Sequence, residues 1–449
     1  MKVTQFFTTG NYVLAKREIA PALQMSGIHT LTATKKVISE DFLGFGVALT
    51  GSSCYLLAQM PQEDRTALLQ SLYGKDGLNL SVARLSIGAS DYSAELYSYD
   101  DVENDTALKH FSIERDRAYI IPMIREIQAI RPDLYLFASP WSPPGWMKTG
   151  GSMCGGFMRS GYLDCYAEYI TRFVREYAKE GIHISALTVQ NEPETHQSGR
   201  MPACIWHPDQ EAEFALKLRR RLDEAGLDTK IWIHDHNFDG CNRIRWQLDT
   251  YPELKNAIDG IAFHYYKGAI EDTRALHAAY PTLKMHFTEG GPRLYDHYDS
   301  DYCKWGGMIS KVLNESFGSF TGWNLMLDEL GGPNIGPFFC GGLLTKNSQS
   351  GEITYSGQYK ALAHIASFWQ KGAQVLETEI SSNAIGQFKY PSEEKPLGAS
   401  LIENPDGSRV YLLVNPNADK KQVQLFEGGA WRYIELLPDS VSTVLVQEN

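Results

Sequence analysis

The chain has 449 residues, 43 % of them hydrophobic, with 42 Lys plus Arg against 54 Asp plus Glu and a formal net charge of −12. A surface that acidic repels phosphate backbones, which argues against a nucleic-acid partner. The ordinary charged fraction of 21 %, with no long block of like charge, argues against extended disorder.

In chain order, residues 1–40 show β-type alternation, as in Ile28-His29-Thr30-Leu31-Thr32-Ala33, but too little of it for a domain of their own. The first ten residues, Met1-Lys2-Val3-Thr4-Gln5-Phe6-Phe7-Thr8-Thr9-Gly10, lack the apolar stretch of a signal peptide. No apolar run reaches membrane-spanning length, so membrane insertion is not expected. The 7 cysteines form no CxxC pair and no zinc spacing with His. Free thiols in a reducing cytoplasm are the simplest expectation.

From Phe42 onward, short runs rich in β-branched and aromatic residues alternate with segments of helical period. The strand-like runs are 43–49, 80–87, 134–139, 184–189, 230–234, 260–264, 284–288 and 319–325. Helical period marks 114–131, where Tyr119, Ile120, Met123, Ile124, Ile127 and Ile130 share a face, and also 162–181, 208–226, 302–313 and 356–370. A doubly wound open sheet would want a nucleotide fingerprint after its first strand, and Gly44-Phe45-Gly46 lacks the third glycine. The pattern predicts an α/β protein with a parallel (β/α)8 TIM barrel over 41–371. After 372 the period becomes that of strands (376–380, 384–390, 399–403, 410–414, 422–426, 441–446), punctuated by Pro405-Asp406-Gly407 and Asn415-Pro416-Asn417. Residues 372–449, joined by the strands of 1–40, are expected to form an antiparallel β-sandwich domain built from both termini.

Barrel chemistry collects where strands end at the C-terminal face. The fourth run delivers Gln190-Asn191-Glu192-Pro193 and the seventh Thr288-Glu289-Gly290-Gly291. Each sets a Glu where an apolar strand breaks, and two such carboxylates can face one another across a scissile bond.

These segments, with Gly44-Phe45-Gly46, Val82-Ala83-Arg84, Ser90-Asp91-Tyr92-Ser93, Ser139-Pro140-Trp141-Ser142-Pro143-Pro144-Gly145-Trp146, Phe263-His264-Tyr265-Tyr266 and Gly322-Trp323-Asn324-Leu325 through Asn334, resemble glycoside hydrolase family 30. This is the family of the glucosylceramidase-like retaining β-glycosidases of clan A. The motifs run in family order from about 42 to 345. The resemblance implies Glu289 as nucleophile and Glu192 as general acid/base, with a raised pKa expected at Glu192 and Arg84 and Tyr266 holding Glu289 ionised. It further implies Asn191 on the sugar 2-hydroxyl, Asp91, Trp141, His264 and Trp323 around the non-reducing sugar, and Asn334 at the pocket rim. Three details depart from the family pattern: Gly51 after Thr50, Tyr265 where Trp is common, and the Gly-rich loop 150–156. They bear on the leaving group and leave the chemistry intact.

The run His234-Asp235-His236-Asn237-Phe238-Asp239 has the residue types of a barrel metal site. The first strand offers no ligand to join it, so no metal and no cofactor are expected. The leading expectation is a retaining exo-β-glycosidase, a β-glucosidase or β-xylosidase acting on a small β-glycoside or oligosaccharide. An endo-acting β-glycanase of the same family and a non-catalytic sugar-binding protein on the same barrel are the alternatives. The oligomeric state is not legible in the sequence.

Overall fold

A computed structural model describes residues 1–382 and 394–448; the strand expected at 384–390 lies outside them. Eight parallel strands close a barrel in chain order: Phe45–Leu49, Val82–Ile87, Tyr135–Pro140, Ala186–Thr188, Lys230–Asn237, Gly260–His264, Lys284–Glu289 and Phe317–Gly322. Each falls on one of the eight expected runs. Such strands read as nearly continuous apolar sequence because helices cover one face and packed side chains fill the other.

The lumen is filled in layers. Val82, Phe137, Ala186, Trp232 and Ala262 form an apolar plug, and the Trp232 ring lies on His286 with centroids 3.9 Å apart. Two residues further along their strands, the same side of the pleat carries Arg84, His264 and Thr288, all buried. The plug closes the barrel below this polar layer, so its groups can meet a ligand only through the C-terminal mouth. The fifth strand departs from simple alternation. His234 and Asp235 have φ of +75° and +47°, and pairing with the sixth strand slips between Ala262 and Phe263. This bulge turns Asp235 into the lumen.

The helix Ile120–Ile130 buries Ile120, Ile121, Met123, Ile124 and Ile127 on the stripe its period predicts, with the turn Glu114–Arg117 standing apart from it. Pro208–Glu224 starts with Pro at its first position and a capping side chain from His207. The helix Gly51–Ala58 escaped the periodicity because Gly51, Ser52, Ser53, Cys54, Leu56 and Leu57 are all buried, which leaves no polar face.

Among the described residues, ten strands from both ends of the chain form a second, mainly antiparallel sheet. Lys2–Thr9 pairs with Ser440–Gln447, and His29–Ser39 pairs with Gln374–Ser382. This sheet encloses its own core, with Leu31, Leu413, Val423, Ile434 and Val444 among its members. The strand Ala430–Leu436 was not expected; its buried positions, Arg432, Ile434 and Leu436, start with a charge. The barrel helix Tyr302–Asn314 meets the sheet at Gly306, where an added Cβ would come within 3.1 Å of both Val414 and Val441. Glycine there lets helix and sheet close together.

Candidate active site

Glu289 ends the seventh strand and Glu192 follows the fourth, with φ of +51°. The Glu192 backbone N–H donates to the Asp235 carbonyl at 3.0 Å, which ties this turn to the fifth-strand bulge. One side-chain oxygen of Glu192, one of Glu289 and a ring nitrogen of His264 lie within 4.8 Å of one another.

Arg84 organises the floor beneath them. Its Nη1 donates to Glu289 Oε2 at 2.5 Å, and its Nη2 donates to Asn191 Oδ1 at 2.9 Å and Asp235 Oδ2 at 2.7 Å. The guanidinium also sits 4.8 Å from the Trp141 ring centroid and 5.5 Å from that of Trp323, so it is sandwiched between carboxylates and aromatic faces. Tyr266 donates its hydroxyl to Glu289 Oε1 at 2.9 Å. Both Glu289 oxygens therefore accept a hydrogen bond, one from a guanidinium and one from a phenol.

Asp235 is fully buried and fully partnered. Thr188 and Thr288 donate to it at 2.7 Å each, and His264 Nε2 lies 3.1 Å from its Oδ1. Burial works against its charge, but Arg84 and His264 outweigh burial and hold the carboxyl far below the usual range. Burial likewise opposes a charged His264, yet Glu289, Asp235 and Glu192 surround it and lift it to about 9.

The expected upward shift at Glu192 is reversed. Burial does push this carboxyl up, but the hydrogen bond from His264, the charges of His236 and His264, and the Gln197 amide together bring it down.

Asp91, Trp141, Asn191, Glu192, Tyr266, Glu289 and Trp323 all line one pocket of about 290 Å³ at the barrel mouth. Trp141 and Trp323 stack at 5.1 Å. Asp91 is 4 % exposed, and its Oδ1 has no hydrogen-bond partner. Burial first, then Glu289 and Glu192, push its pKa well above the usual range. Two expected pocket residues sit elsewhere. His264 has no exposed surface; its Nδ1 lies 3.3 Å from Glu192 and its Nε2 3.8 Å from Glu289. Asn334 folds back on its own loop, accepting from the Gly336 N–H at 2.6 Å and donating to the Phe338 carbonyl.

Gln197, Met201, Arg293, Phe338 and Cys340 reach the pocket without a sequence signal, and His236, from the run with metal-site residue types, lines it too. The members of the His-Asp-His run point to different partners. His234 Nε2 lies 2.9 Å from the Asn237 carbonyl, His236 Nδ1 lies 3.3 Å from Glu194, and Asp239 pairs with Lys267 at 2.7 Å. Asp235 joins Arg84 instead. No helix among the described residues is long and apolar enough to cross a membrane.

Residues 42–368 match the glycosyl hydrolase family 30 TIM-barrel domain. The chain is 28 % identical over 406 residues to an endo-1,6-beta-D-glucanase of Neurospora crassa, covering 86 % of this chain and 81 % of that one. It is 31 % identical over 440 residues to putative glucosylceramidase 3 of Caenorhabditis elegans, covering 93 % and 82 %. Among solved structures, SrfJ from Salmonella typhimurium superposes with a TM-score of 0.90 at 26 % identity, and an endo-beta1,6-glucanase with 0.86 at 27 %, each over the full length of both chains.

Proposed function

Because the chain belongs to glycoside hydrolase family 30, we propose that it is a retaining β-glucoside hydrolase in which Glu289 is the nucleophile and Glu192 the general acid/base. The observation that carries this reading is the carboxylate spacing of 4.8 Å or less. Double displacement needs carboxyl groups about 5–5.5 Å apart, whereas direct attack by water needs roughly 6.5–9.5 Å. In the first step a Glu289 oxygen bonds to the anomeric carbon as the glycosidic C–O bond breaks, and Glu192 gives its proton to the departing oxygen. In the second, Glu192 takes a proton from water, which adds to the anomeric carbon and releases Glu289. Arg84 and Tyr266, each donating to one Glu289 oxygen, hold that carboxylate aimed. Asn191 spends its carbonyl oxygen on Arg84, which leaves its NH₂ for the sugar 2-hydroxyl.

The sugar is read as β-glucose, bound in a pocket at the small end of the usual ligand-site range of about 300–1,000 Å³. Asp91 lines the pocket and suits hydroxyl donors, and Trp323 offers an apolar ring face to C–H groups. A pocket of this size supports release of single sugars from a non-reducing end. Cleavage within β-1,6-linked glucan is the second reading, supported by the relatives named for that activity. Incubation with a β-1,6-glucan and with aryl β-glucosides separates the two. Glucose as the first product, with little loss of polymer length, is expected; early mixed oligosaccharides would favour the second reading. NMR during the first turnovers should show a β anomer, and an α anomer would overturn the retaining mechanism.

A further inference from the structure

Both carboxylate oxygens of Glu192 are engaged in the free protein. Oε1 lies 3.3 Å from Nδ1 of His264, a ring with no exposed surface, so this oxygen is turned inward. Oε2 is the one left to face a substrate, and it accepts the Gln197 side-chain N–H at 2.5 Å. An acid must present its proton, and a base its lone pair, to an oxygen arriving on that side. Gln197 occupies that place.

The segment carrying Gln197 is built to yield. Gln197, Ser198 and Gly199 follow one another with φ of +47°, +52° and +65°, and for a non-glycine residue this region costs about 1–2 kcal/mol. The backbone bonds here are local: Gln197 N–H to Thr195 Oγ1, Gly199 N–H to the His196 carbonyl and Arg200 N–H to the Gln197 carbonyl. Gln197 is half-buried and His196, Ser198 and Arg200 are exposed; the turn meets the Gly-rich loop at Gly155, where an added Cβ would come within 3.1 Å of Gly199 and His196.

We propose that Gln197 is a positioning residue that latches the acid/base carboxylate in the free enzyme and is displaced by the group entering the leaving-group side of the pocket. Glu192 then becomes a proton donor only when an aglycone is present. Displacement removes one of two donors stabilising the carboxylate, so its affinity for the proton rises; Oε2 takes up a proton from solvent and passes it to the glycosidic oxygen as the C–O bond breaks. This rests on the reading of Glu192 as acid/base. The other groups facing Glu192 are Glu289, Asp91 and Tyr266 around the pocket, His236 with its partner Glu194, and Asp235 and Arg84 beneath His264. A change at Gln197 leaves all of them in place.

The test is the pH dependence of kcat/KM and of kcat on an alkyl β-glucoside, whose leaving group needs a proton, for the wild type, Gln197→Ala and Gln197→Glu. The first quantity reports the free enzyme and the second the complex. In Gln197→Ala the alkaline limb of kcat/KM should move up by about one pH unit, the worth of one hydrogen bond to a charged group, while the limb of kcat stays. In Gln197→Glu a second carboxylate should move the kcat/KM limb further up. A limb of kcat/KM that does not move, or limbs that move equally in both quantities, would overturn the latch. Glu192→Ala measured in parallel separates the two levels. If it shows leaving-group dependence and azide rescue while the Gln197 limbs stay fixed, the latch alone falls. If it shows neither, the acid/base reading falls and the latch with it.

Discussion

Arg84 and Asp235 form an ion pair of 2.7 Å beneath the pocket, with neither side chain exposed. A buried pair of this kind contributes little over a well-packed apolar substitute, but removing one partner strands the other charge. Arg84 would keep Glu289 and Asn191 but lose its deepest neighbour, and Thr188, Thr288 and His264 would lose their common acceptor. Asp235→Ala should therefore cost about 3–5 kcal/mol of stability, read as a lower midpoint in urea unfolding. Asp235→Asn, which keeps the shape and one acceptor, should cost less. A midpoint within error of wild type for the alanine variant would show that the pair carries no such weight.

The two carboxylates should respond differently to removal. Glu289→Gln should lower turnover by about 10⁴-fold or more on every substrate, since no other group can form the covalent intermediate. Glu192→Ala should be severe on alkyl glucosides and much milder on aryl glucosides, whose phenolate leaves without a proton. Azide should restore the latter variant and yield a β-glycosyl azide. Equal losses on both substrate classes without rescue would reject the assignment.

Stability should peak near neutral pH, for reasons of opposite sign. His264 is raised to about 9, so the stability it contributes is complete below its unfolded value of about 6.5 and is lost as pH rises through 9. His286 and His364 are lowered to about 3 by burial. The unfolded chain takes up protons that these folded rings refuse, so stability also falls as pH drops below about 6.5. Thermal midpoints measured from pH 4 to 10 should trace this dome, and His264→Gln should flatten its alkaline side. An alkaline decline of wild-type size in that variant would assign the loss to other groups.

The barrel was legible because each of its strands is buried on both faces and announces itself as an apolar run between helical stretches. Glu192 and Glu289 were legible because Pro193 and Gly290 mark where those runs break. Asp235 was not. Its lumen position depends on a bulge with two successive positive φ angles, and in the sequence it stood out only as one of the His and Asp residues of the 234–239 run. Gln197 stayed hidden because its reach to Glu192 is a property of a turn's backbone and leaves no spacing to detect. At Asn334 the motif position was visible, but a side chain that bonds its own loop is indistinguishable in sequence from one that faces a ligand.

Asp91 should trade stability for activity. Its carboxyl is buried at the edge of the pocket with Oδ1 unpartnered, near Glu289 and Glu192, and burial and those charges raise its pKa. Such a group costs the free protein stability. Asp91→Ala removes that cost, so the variant should unfold at the same temperature as wild type or a higher one, a gain of order 0.5–2 kcal/mol at most. The same change deprives the reacting sugar of the contacts that orient it, and kcat/KM should fall by about 10²-fold or more. Asp91→Asn, which offers one acceptor, should be intermediate in activity. Calorimetric melting and steady-state kinetics on an aryl β-glucoside read both sides of this trade. A variant that melts lower with activity little changed would mark Asp91 as a structural residue and remove it from the sugar site.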